Sequence, residues 1–158
     1  KQPFTILRYG IPYGPRGRDE LVIPIFIRKA LKGEPIVIQG DGSQYRNYVY
    51  IDDLARAHLL AISPKAENQV FNLEGTRRIT IREIAETVKQ VVGNHVQIEF
   101  GVGRPGDYKG KEVSAEKARR ILGWVPEIGF EEGMRRTVEW YRETYAAELG
   151  LVQEALRR

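Results

Sequence analysis

Arg46 is the side chain in this sequence whose setting most favours chemistry. It follows Gly40-Asp41-Gly42-Ser43, where glycines reach positive φ without a Cβ penalty, so a turn forms and a ligand can approach the backbone. It precedes Tyr48-Val49-Tyr50-Ile51, which is aromatic and β-branched and is expected as a strand. A guanidinium held at a strand start can grip a phosphate through two parallel hydrogen bonds. The same residues would also make a surface hairpin with a solvated arginine, and local chemistry leaves both readings open.

Other reactive groupings carry less. Asp52 and Asp53 form a carboxylate pair, but they open the run Leu54–Ala61, where Asp52 is expected to cap a helix and both to meet its dipole. His58 and His95 are the only histidines and fit no ligand spacing; with no cysteine present, no metal site is expected. Gly101-Val102-Gly103-Arg104-Pro105-Gly106 satisfies G-x-G-x-x-G after a strand. A dinucleotide fingerprint must also open a helix, whereas Pro105 removes a donor and Asp107-Tyr108-Lys109-Gly110 does not read as helical. The match is rejected.

The elements that must position Arg46 are read from periodicity. Strands are expected at Thr5–Tyr9, Ile36–Gln39, Gln69–Leu73 and Val96–Phe100, with a turn over Gly10 to Pro15. Ile23, Ile27, Ala30 and Leu31 recur at helical spacing before Gly33. Thr80-Ile81-Arg82-Glu83 is a capping box opening a helix that Gly93 closes. Ser114 caps a short helix ending at Leu122-Gly123, and a last amphipathic helix from about Phe130 aligns Met134, Val138, Tyr141 and Tyr145. The class is α/β, with helices around short strands. The 158 residues fit one domain.

The net charge of +4 and pI near 9.4 could suit nucleic acid. Yet the cations alternate with glutamates (Arg82-Glu83, Lys111-Glu112, Arg142-Glu143), which is the pattern of solvated helices, so nucleic acid is set aside in favour of anionic small molecules. No apolar run approaches the ~20 residues that span a bilayer. No membrane association is expected, and a cytoplasmic location follows by default. The start, almost directly in a strand, leads us to expect a piece of a longer chain.

"KGEPIVIQGDGSQYRNYVYIDDLARAHLLAI" resembles the segment after the catalytic helix in extended short-chain dehydrogenases, the NAD-dependent nucleotide-sugar epimerases and dehydratases of the UDP-glucose 4-epimerase kind. "ILRYGIPYGPR" before it, then "RPGD" at Arg104 to Asp107 and "SAEKARRILGW" at Ser114 to Trp124, match in the family's order. The resemblance implies a nucleotide-diphosphate sugar, with UDP-sugar the expected partner, held at its diphosphate by Arg46 and Arg104. Asp107 would orient Arg104 or touch the sugar. Leu21 and Val22 would face the substrate, and Val37, Ile38 and Gln39 would pass the base. An aromatic often stands where this chain has Gln39, whose amide can bond a base edge. The family commonly has Asn where Ile11 stands. Tyr9 would contact the nicotinamide of NAD.

The family's hydride chemistry is assisted by a Tyr-x-x-x-Lys dyad, and no tyrosine here has Lys four residues later. No catalytic residue is therefore named. Residues 1–158 are expected to be the C-terminal substrate-binding domain of such an enzyme, lacking most of its Rossmann half, with 5–9 and 69–73 as strands of that missing sheet. Alone, the chain should neither retain NAD nor turn over a nucleotide sugar. A homodimer is expected, and an apolar patch around Ile6, Leu7, Phe71 and the Leu54–Ile62 helix. A non-catalytic nucleotide-sugar sensor of the same fold, or a 4,6-dehydratase or decarboxylase, are the alternatives.

Overall fold

The computed structural model describes residues 2–103, 106, 109–110 and 113–150. Three pairs of short strands are parallel. β1 (Thr5–Tyr9) lies beside β6 (Gln69–Leu73), with Thr5 opposite Gln69 and Tyr9 opposite Leu73. β2 (Ile11–Tyr13) lies beside β5 (Tyr48–Tyr50), and β3 (Ile36–Gln39) beside β8 (Ile98–Gly101). One further pair, β4 (Tyr45–Arg46) with β7 (Ile79–Thr80), is antiparallel. Parallel neighbours require crossovers. The helices supply them and cover the strands: α1 (Val22–Leu31), α2 (Ile51–Ala61), α3 (Ile81–Val92), α4 (Glu116–Leu122) and α5 (Phe130–Thr144). The expected α/β class is what the structure shows.

Two hydrophobic clusters organise the packing. The larger joins α1, α3 and α5 through Ile23, Ile27, Ile84, Val88, Met134, Val138 and Tyr141, and takes in Ile36 and Ile38 of β3. The smaller joins β6 to α2 and α4 through Phe71, Leu73, Leu54, Ala57, Ala118 and Trp124. Helix ends follow local chemistry in several places. Gly33 takes φ 72° just past α1, Gly123 takes φ 66° after α4, and the Thr80 hydroxyl accepts from the Glu83 N–H at 3.1 Å. Ser114 Oγ accepts from the Glu116 N–H at 3.2 Å, but Ala115, not the expected Ser114, stands at the N-cap of α4.

Further local expectations differ, and β8 begins at Ile98 rather than Val96. Gly10 to Pro15 is not all turn, because Ile11-Pro12-Tyr13 pairs with β5. Ile51 begins α2 rather than ending a strand, and Tyr50, not Asp52, stands at the N-cap with no side-chain cap bond. Asp53 is the carboxylate with structural work: it is 2 % exposed and accepts from the N–H groups of Glu127 at 2.9 Å and Ile128 at 3.0 Å. Arg56 reaches it at 3.2 Å. The chain before α5 is thereby fastened to the first turn of α2.

Among the described residues no helix is long and apolar enough to cross a membrane. Among the same residues, no group of His, Asp and Glu could hold a metal ion.

Candidate functional site

Strand alternation decides what β3 offers to a ligand. Ile36 and Ile38 point into the larger cluster and are fully buried, so Val37 and Gln39 take the opposite face. That face and one side of α1 border a cavity of about 580 Å³, within the usual range for small-molecule sites. Leu21 at the N-cap of α1 and Val22, its first residue, line it, followed one and two turns on by Ile25, Phe26 and Lys29. Ile11, Pro12, Tyr13 and Gly14 form another wall with Tyr48; Gln44, Arg46 and Ile81 line it too, as do Gly17, Ile23, Pro24 and one carboxylate, Glu20, beside Leu21.

The turn between β3 and β4 sets Arg46. Gly40 and Gly42 take φ 76° and 73°, a region open to glycine at no steric cost. A Cβ on Gly42 would come within 3.1 Å of Ile38 Cγ2 and 3.2 Å of the Arg82 backbone nitrogen. The Asp41 carboxylate accepts from the Ser43 N–H at 2.9 Å, a bond that holds its pKa below the ordinary carboxylate value. The start of α3 closes the loop: the Arg82 N–H donates to Gly42 O at 3.1 Å and the Ile81 N–H to Gln44 O at 2.9 Å. Arg46 is half-buried and donates to the Tyr45 carbonyl at 2.6 Å. Burial pushes the adjacent Tyr48 phenol up to about 12, against the pull of the Arg46 charge. Tyr48 is thus a neutral wall, and Arg46 a positive one.

Of the residues singled out in the sequence, Leu21, Val22, Val37, Gln39 and Arg46 converge on this cavity. Ile38 turns to the core instead. Tyr9 lies outside the cavity, at the end of β1, 45 % exposed, with its hydroxyl 2.7 Å from His58 Nε2. The other ring nitrogen, Nδ1, is 2.7 Å from the Leu54 carbonyl, which can only accept, so in the neutral imidazole Nδ1 carries the proton and Nε2 accepts from Tyr9. Arg104 and Asp107 lie outside the described residues. Sequence reasoning missed Lys29, Gln44, Tyr48 and the Ile11–Gly14 wall. For Lys29 a signal existed: positions 22, 25 or 26, and 29 share one helical face.

Residues 1–73 match the model of the NAD dependent epimerase/dehydratase family. A UDP-glucuronate 4-epimerase of Thermodesulfobacterium geofontis is 36% identical over 140 residues, covering 88% of this chain and 43% of that protein. A dTDP-glucose 4,6-dehydratase of Neisseria gonorrhoeae is 34% identical over 141 residues, covering 82% and 41%. The crystal structure of UDP-glucose 4-epimerase with UDP-glucose from Thermotoga maritima superposes with a TM-score of 0.83 at 38% identity, covering 90% of this chain and 47% of that one. The chain therefore spans less than half the length of each of these relatives.

Proposed function

We propose, for a chain that belongs to the NAD-dependent epimerase/dehydratase family of extended short-chain dehydrogenases, that it forms the nucleotide-sugar-binding part of an epimerase of the UDP-glucose 4-epimerase kind. The half-buried guanidinium of Arg46, set on the wall of an otherwise largely apolar cavity, carries the reading. A diphosphate needs charge-assisted donors, and these gain strength where water is partly excluded. Arg104 is proposed as the second arm of the clamp, and Asp107 as the residue that orients it or touches the sugar. Leu21, Val22, Val37 and Gln39 hold the nucleoside.

NAD, when bound, supplies a transient hydride acceptor. The exposed ring of Tyr9, at the C-terminal end of a parallel strand, fits contact with a nicotinamide, since ligands of parallel sheets gather at that end. Its hydroxyl, fixed by His58, keeps the ring in place. The described residues hold no glycine cradle for the pyrophosphate, so that part of the cofactor falls to other residues of the enzyme, and β1 and β6 to a larger parallel sheet. The reading takes the enzyme as a cytoplasmic homodimer. A 4,6-dehydratase is the second reading, favoured by a near-equal identity to a protein of that activity.

Calorimetric titration of UDP and uridine tests the site. Arg46→Ala should weaken UDP about 10- to 150-fold, the loss of one charge-assisted hydrogen bond, and leave uridine nearly unchanged. Unchanged UDP affinity would reduce Arg46 to a hairpin residue and end this reading.

A further inference from the structure

Lys29 is the cation of the cavity that the diphosphate clamp leaves unused. It lines the cavity from the last turns of α1 and is half-buried, and its ammonium has no hydrogen-bond or ion-pair partner among the described residues. Its neighbour Arg28 is committed elsewhere, to Asp19 and Glu148. A long side chain held half out of water without a partner forgoes rotamer freedom for nothing unless a ligand uses it.

Its place follows from the topology. The Glu34 N–H donates to the Lys29 carbonyl at 2.9 Å, folding the chain back so that β3 runs antiparallel to α1. Lys29 consequently lies at the Ile36–Val37 end of β3, and Leu21 and Val22 at the Gln39 end. Seven residues separate Lys29 from Val22, about 10 Å along the helix axis. Arg46 follows the turn that leaves β3 from the Gln39 end. The cavity thus carries a cation towards each end of β3, with the apolar faces of Val37, Ile25 and Phe26 between or beside them and one carboxylate, Glu20, beside Leu21.

We infer that Lys29 reads the nucleobase, donating from Nζ to an exocyclic carbonyl oxygen of a pyrimidine seated against Val37 and Gln39. This rests on the diphosphate occupying Arg46, as proposed above. With the phosphates at that end, the base comes to the other. An ammonium offers three donors and no acceptor. It meets O4 of uracil or thymine, and it opposes the exocyclic amine that cytosine carries at the same ring position. Gln39, whose amide both donates and accepts, serves the ring nitrogen edge. A site built on a directed donor rejects the analogue that lacks the acceptor far better than an apolar slot distinguishes shapes. The ligand class is therefore uridine- or thymidine-diphosphate sugars, against cytidine-diphosphate sugars.

The test is calorimetric titration of UDP, CDP and uridine into the unaltered chain and into Lys29→Met, Lys29→Arg and Arg46→Ala. Lys29→Met keeps the stem and helix propensity while removing the donor. It should weaken UDP and uridine alike, by about 10-fold or more, with CDP little changed, so that discrimination collapses. Lys29→Arg, which restores a donor, should recover part of the preference. Equal losses for UDP and CDP with uridine unaffected would place Lys29 on a phosphate and overturn base reading. No change in any affinity would make it a solvated cation at a helix C-terminus, and would overturn it too. If Arg46→Ala loses UDP while Lys29→Met does not, the inference falls and the diphosphate site stands. If the unaltered chain binds neither nucleotide, both fall.

Discussion

Asp53 and Glu74 are two carboxylates with opposite fates. Asp53 is buried but answered by two backbone N–H groups and Arg56, and the Trp124 indole donates to its carbonyl at 2.8 Å. Its removal would strand buried donors and one guanidinium. Asp53→Ala should cost roughly 3 kcal/mol or more of unfolding free energy, visible as a lower urea midpoint at unchanged slope. A loss below about 1 kcal/mol would mean that water replaces the carboxylate. Glu74 has no hydrogen bond or ion pair among the described residues, and desolvation raises its pKa. A carboxyl with a raised folded pKa contributes stability that is complete below the ordinary glutamate range and is lost as pH climbs through the folded value. Glu74→Gln should therefore match or exceed the parent in stability at about pH 7, with that advantage shrinking towards about pH 4. Denaturant titrations at the two pH values would show it. An advantage that grew on acidification would contradict the sign.

At the scale of elements, the turn that carries Arg46 is the one most constrained by its neighbours. Gly42 combines φ 73° with a packed Cβ position against Ile38 and the α3 backbone, so Gly42→Ala meets both strain and crowding. It should cost at least about 1–2 kcal/mol, the left-handed penalty alone, and loosen UDP through Arg46. A thermal melt and a UDP titration on the same variant separate the two effects; full stability would mean the turn can change type. This turn was legible in the sequence because glycine spacing states backbone conformation directly. So were α1, α3 and α5, whose apolar positions recur at helical intervals and whose ends carry glycine or a Thr-Glu box. The start of α2 was not. Tyr50 and Ile51 favour a strand locally, and the helix begins there because Asp53 must reach the Glu127 and Ile128 amides, a contact between residues more than seventy apart. β2 was hidden for a related reason. Pro12 speaks against a strand, yet it sits in a three-residue strand with one partner, where its missing N–H can face away from the ladder. Of the site, Arg46 announced itself by its turn, whereas Lys29 was marked only by sharing a helical face with Val22, which does not say what that face borders. Only the fold-back from α1 into β3 brings it to the cavity.

For the molecule as a whole, the distribution of apolar surface differs from the pattern expected of the sequence. Phe71 is fully buried under Trp124 and Ala118, and Leu54 and Ala57 are buried with it, so the middle of that strand and the inner face of α2 are satisfied. What remains in solvent is the face of β1 opposite Leu7 and, separately, the outer side of α2. Phe4 is 52 % exposed, Ile6 45 %, Leu59 71 % and Ile62 79 %. Single exposed apolar side chains need no account, but Ile6 belongs to a parallel pair, β1 and β6, with one face open and, among the described residues, no third strand. Parallel strands are found almost only with both faces covered, and two alone are marginal. An open parallel edge beside exposed Ile6 is a template for another chain. The 158-residue chain should therefore self-associate in solution, through this face. Ile6→Lys should shift it towards monomer without loss of helicity. Sedimentation velocity across a concentration series, with circular dichroism on the same samples, makes the comparison. A parent that stays monomeric at the highest concentration, and binds no dye specific for apolar surface, would show that β1 and β6 are stable as an uncovered pair.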